Sequence, residues 1–156
     1  MVVEEDISNM KKTIIILLIL VGIVCLAKFG IDRVKYLNLT DIEDIKKVYL
    51  DNEDLFIAAA QNEDFLSLKK IKGIQDVYIG EEYVGLDCGG AGLGSSTHYY
   101  GIFYSEEDNI CAVDVAGPYD EMAEDGKGYK YIQKDGDNRY YVEPLGNHYF
   151  YYEAHF

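Results

Sequence analysis

The sequence predicts an α+β domain behind an N-terminal membrane segment, with short helices packed on a curled antiparallel β-sheet of about five to seven strands. Three observations carry this expectation. Residues 14–27, "IIILLILVGIVCLA", form one uninterrupted apolar run. Between residues 40 and 72, apolar side chains recur at helical spacing. From Asp76 onward the chain changes to short aromatic and β-branched runs separated by polar turns, the texture of strands joined by short connections.

The apolar run follows Lys11 and Lys12. A buried core helix is usually amphipathic, and this one is apolar all round. With Lys28 snorkelling and Phe29 to Ile31 extending it, the run reaches about 18 residues against the ~20 that cross a bilayer. It also suits a signal-peptide core, with "CLA" as a small-residue cleavage site after Ala27. Lipid modification of Cys25 is disfavoured by Val24 before it and Leu26 after it. The chain therefore divides into a short tail (1–12), a transmembrane anchor or signal segment (13–31), a linker (32–39) and an acidic extracytoplasmic α+β domain (40–156). Lysines flank the segment on both sides, so the positive-inside rule does not orient it. A C-terminal domain behind a signal-like segment favours single-pass attachment to the cell membrane with the domain outside, or secretion if the chain is cleaved after Ala27.

Within the domain, "TDIE" reads as a capping box, Thr40 capping and Glu43 reaching back. Ile42, Ile45 and Tyr49 continue the helical period. "NEDLFIAAAQ" reads as a second helix with acids in its first turn, where the helix dipole favours them. A third short helix runs from Asn62 to Lys72, with lysines at its end and Gly73 as its stop. Strands are predicted at 77–79 and 83–88 (a hairpin across "GEE"), 98–104 and 110–115. After an acidic loop at 117–128 come 129–133 and 138–143, flanking "KDGD", and then 147–156. The last of these has aromatics on both faces, which places it centrally or beneath the helices.

Asp and Glu outnumber Lys and Arg by 28 to 14. So acidic a chain repels nucleic-acid phosphates and anionic headgroups, so no nucleic-acid partner is expected. Between Gly73 and Gly126 there is no Lys or Arg at all, and 13 of the 15 Tyr fall at or after Tyr78.

The stretch "DCGGAGLGSSTHYYG", Asp87 to Gly101, invites three chemical readings. As a phosphate loop it lacks the lysine and the following helix. As a catalytic site it would use Cys88 as nucleophile and His98 as base, with Asp87 or Asp114 orienting the histidine. Acidic surroundings raise a thiol's pKa, however, and no hydrolase motif is present. Alternatively Cys88 and Cys111 are small core residues, or they form a disulfide worth about 3 kcal/mol in the chain-entropy account. No metal site or cofactor is implied. His148 and His155 would face opposite sides of one strand, and "DGDN" at Asp135 lacks the rest of a calcium loop. Tyr99, Tyr100 and Tyr104 are candidate ligand-binding residues, because tyrosine pairs an apolar face with a hydroxyl. The same tyrosines could instead be the core of a sheet that has no Trp.

The blocks "CGGAGLGSSTHYYGIFYS" and "GDNRYYVEPLGNHYFYYEAHF", with the anchor-like start, resemble a set of short, membrane-anchored, Tyr-rich bacterial proteins of unknown function. The resemblance covers most of residues 76–156. It implies a Gram-positive-type exported domain and assigns no catalytic residue. Helices before a long meander are also similar to cystatin-like or NTF2-like architectures. The function expected is that of a tethered, non-enzymatic interaction or ligand-binding module whose partner is an unknown protein or a glycan. The alternatives are an extracytoplasmic enzyme using Cys88 with His98, or a cell-wall glycan binder acting through exposed Tyr.

Overall fold

A computed structural model describes Ile14 and residues 16–25, 38–93, 96–113 and 117–156. The chain forms two units, Met1–Lys35 and Tyr36–Phe156. In the first, Ile14 and residues 16–25 are helical, and their large apolar side chains are exposed. Among the described residues, no helix is long and apolar enough to cross a membrane. The tail, the ends of the 13–31 segment, the cleavage site and residues 32–37 of the linker lie outside the described residues.

The second unit is α+β. Helix α1 (Ile42–Asp51), helix α2 (Glu53–Asn62) and a 3-10 helix (Phe65–Lys70) precede seven strands. These are β1 (Asp76–Ile79), β2 (Val84–Leu93), β3 (Ser96–Tyr104), β4 (Ala123–Asp125), β5 (Gly128–Ile132), β6 (Arg139–Gly146) and β7 (Tyr149–His155). They form one unclosed antiparallel sheet in the order β1-β2-β3-β7-β6-β5-β4.

Three expectations are corrected in detail. Helix α1 is capped by Asp41 rather than Thr40. Asp41 is extended, and its Oδ1 accepts from the N–H groups of Glu43 (2.9 Å) and Asp44 (3.3 Å). A carboxylate there satisfies two orphan donors and also meets the positive end of the helix. The Glu43 side chain is consequently not needed for the box, and it lies against Lys46. Residues 110–113 are not a strand. Asp108 turns the chain at φ 55°, and Ser105 Oγ and Asn109 Oδ1 accept the N–H groups of Asn109 and Cys111. Side chains thus satisfy this backbone locally, and Ile110, Ala112 and Val113 pack against the sheet as a plug. Residues 114–116 lie outside the described residues. Finally, the predicted acidic loop contains β4, which pairs with β5.

Strand β7 lies in the middle of the sheet, between β3 and β6. On one face Tyr149 and Tyr151 join the core beneath the helices. Tyr49, Phe56 and Tyr149 form an aromatic triad there, with ring centroids 5.1–5.7 Å apart. The tyrosine hydroxyls are satisfied as well. Tyr149 donates to the Phe56 carbonyl (2.7 Å) and Tyr49 to the Gly146 carbonyl (3.0 Å). Lys46 of α1 meets the buried Glu143 of β6 at 2.7 Å, and the Tyr141 hydroxyl donates to the same carboxylate at 3.0 Å. On the other face Phe150 and Ala154 pack with Phe103, Tyr140, Val142 and the 110–113 plug.

Candidate functional site

The glycine-rich stretch is a continuation of β2 and β3, paired as far as Leu93 and Ser96. Gly92 has φ 121°, a conformation that glycine adopts without strain. The outer edge of β2 is covered here by the chain before α1. The Leu39 N–H donates to the Cys88 carbonyl (2.9 Å), and the Asn38 side chain bonds Gly90 at its N–H (2.8 Å) and carbonyl (3.0 Å).

Cys88 and His98 do not meet. Cys88 is the extra residue of a β-bulge between Asp87 and Gly89, and His98 pairs with Ala91. Three residues of strand separate the two positions, or about 10 Å. Cys88 is fully buried in the helix-side core, and burial pushes its thiol up to about 12. Cys111 is a free cysteine packed against the opposite core, so the structure does not bring the two cysteines together. Asp114 lies outside the described residues. The candidate tyrosines also divide. Tyr100 and Tyr104 pack on the helix-side core, while Tyr99 faces the other way.

That other face carries a groove at the β1–β2–β3 corner. In register across the strands run two rows, Tyr78–Gly85–Phe103 and Asp76–Asp87–Gly101–Tyr152. Each row has a glycine where a side chain would otherwise fill the face. The Tyr152 ring lies across Gly101, where an added Cβ would stand 2.7 Å from the ring. The groove beside these rows holds about 500 Å³. Tyr78 and Tyr83 flank it with centroids 5.8 Å apart, and Tyr99 and Phe156 flank it at 5.9 Å. Tyr78 and Tyr99 are 58% and 45% exposed, which is unusual for rings so close to a core.

Two carboxylates line the same groove, and among the described residues no Lys, Arg or His does. Asp76 accepts from Lys69 Nζ at 2.7 Å, and this hydrogen bond holds its carboxyl below the ordinary range. Asp87 is half-buried and accepts the Gly89 N–H at 3.1 Å. Burial, together with the charge of Asp76, holds its carboxyl above the ordinary range. Among the described residues Asp87 has no cationic partner.

A second polar corner lies on the helix side, beyond the reach of the helices. His98, His155 and Arg139 are neighbours across β3, β7 and β6. The two imidazoles stand 4.1 Å apart, and the Nδ1 atoms of both are buried without a hydrogen-bond partner. Among the described residues no group of three or more His, Cys, Asp or Glu is arranged to hold a metal ion. His148 lies in the β6–β7 turn, its Nδ1 2.9 Å from Asp108.

Sequence reasoning missed the place of Asp87 in the groove and missed the His98–His155 pairing, because both depend on register. The absence of Lys and Arg from 73 to 126, in a stretch rich in Tyr, is the one signal that pointed to the groove. Comparison of the chain with protein families, with curated proteins and with solved structures finds no match.

In the native protein, a thiol reagent such as iodoacetamide should leave Cys88 unmodified until the domain unfolds. Rapid native labelling of Cys88 ahead of Cys111 would restore the nucleophile reading.

Proposed function

We propose that this chain is a membrane-anchored, exported binding module without catalytic activity, and that it takes a small ligand in the groove between Tyr78 and Tyr99. One observation carries the reading: exposed aromatic rings and a half-buried carboxylate converge on an open trough. Binding sites combine an apolar lining with a few placed polar groups, and this groove has that composition. The rings also suit stacking on a sugar, which keeps a cell-wall glycan as the second reading. A thiol enzyme is disfavoured by the burial of Cys88 and its distance from His98.

The anchor is supported by the apolar run of residues 14–27 and by the exposed apolar side chains of the described helix. Ten residues of helix, 16–25, extend about 15 Å, half of a hydrocarbon core.

Two experiments test these parts separately. The first presents the full chain, in detergent, with a fragment set of simple sugars and amines. Hits should shift the ring resonances of Tyr78, Tyr83, Tyr99 and Tyr152, and Tyr99→Ala should weaken them about tenfold, one stacked ring's worth. Shifts confined to the His98–His155 corner would move the site there. In the second, protease added to intact cells should digest the domain, and full protection beside an intact anchor would place the domain inside.

A further inference from the structure

The charge pattern of the groove names the class of ligand. Asp76 and Asp87 are directly opposite each other across β1 and β2. Like charges in that position destabilise a sheet. Asp76 is relieved by Lys69. Asp87 is relieved only by the Gly89 N–H, and it lies deeper. A half-buried carboxylate without a counter-charge is unfavourable unless something else supplies the charge. Tyrosine and phenylalanine rings carry a negative π-face that attracts a cation. Among the described residues no Lys, Arg or His lines the trough, and Lys69 beside it is engaged by Asp76, so a phosphate or carboxylate ligand would meet the Asp87 charge without a free cation to offset it. A neutral sugar would satisfy the rings but leave Asp87 unmatched.

We propose that the groove binds an organic cation, an ammonium group held against Asp87 and between the rings of Tyr83, Tyr99 and Tyr152. This rests on the reading of the groove as the ligand site and adds its selectivity. Two aromatic pairs, Tyr78–Tyr83 and Tyr99–Phe156, line the trough and can serve as walls for an ammonium. Gly85 lines the trough beside Asp87. The unmatched charge of Asp87 is then a feature of the free protein that the ligand neutralises, a local conflict retained for binding.

The test compares choline with its uncharged carbon isostere, 3,3-dimethylbutan-1-ol, on the full chain in detergent. Both are titrated by the ring resonances of Tyr83, Tyr99 and Tyr152. Choline should bind at least tenfold more tightly than the alcohol. Asp87→Asn should abolish that preference, whereas Asp76→Asn should largely keep it. Asp87→Asn should also raise the melting temperature of the free protein, by about 2 °C, because it removes an uncompensated charge. Equal binding of choline and the alcohol would overturn the cation selectivity while leaving the groove as the ligand site. Titrations in which neither compound moves those resonances would overturn both. If Asp87→Asn lowers the melting temperature, the carboxylate serves the β-bulge and not a ligand, and the proposal fails.

Discussion

Strand β7 carries Tyr149 and Tyr151 on one face and Phe150 and Ala154 on the other, and all four are buried. A strand apolar on both faces must be covered on both, and the rest of the domain follows from that requirement. The helices cover one side through the Tyr49–Phe56–Tyr149 triad and the Lys46–Glu143 pair. Residues 110–113 cover the other, held by the Tyr140 hydroxyl donating to the Ile110 carbonyl at 3.0 Å. The last residues of the chain thus belong to its centre.

Neither cover reaches every strand. On the helix side, the uncovered end of β3, β7 and β6 turns polar, with His98, His155, Arg139 and Glu153 in place of Ile102 and Tyr151. On the opposite side, the corner of β1, β2 and β3 carries the groove, where the rings of Tyr83 and Tyr152 lie over Gly85 and Gly101. The two open regions differ in chemistry. The first mixes cations and anions around two imidazoles with unpartnered nitrogens. The second is lined by aromatic rings and two carboxylates, and it holds the half-buried Asp87, whose setting opposes its ionisation.

Much of the architecture was legible in the chain. The aromatic alternation of "NHYFYYEAHF" identified a strand covered on both faces, and the polar turns marked hairpins. What failed did so for local reasons. The run Ile110 to Val115 has strand composition, but Ser105 and Asn109 satisfy the backbone around it first. Thr40 and Asp41 are both good caps, and the carboxylate prevailed. The sequence predicts strands at 83–88 and 98–104, and the glycines between them instead extend the β2–β3 ladder. The groove was least legible. Asp76 and Asp87, or Gly101 and Tyr152, become neighbours only once the register is set, and no local pattern encodes that.

The claim at the centre is that β7 holds the fold together from both sides. Native-state hydrogen exchange of the domain tests it without altering a residue. The amides of Phe150, Tyr151 and Tyr152, with their partners on β3 and β6, should exchange last, at the free energy of global unfolding. Exchange should be markedly faster at β1 and β4, the edges of the sheet. If the β7 amides exchange as fast as those edge strands, the strand is not the keystone described here, and the placement of both covers and of the groove beside them is wrong.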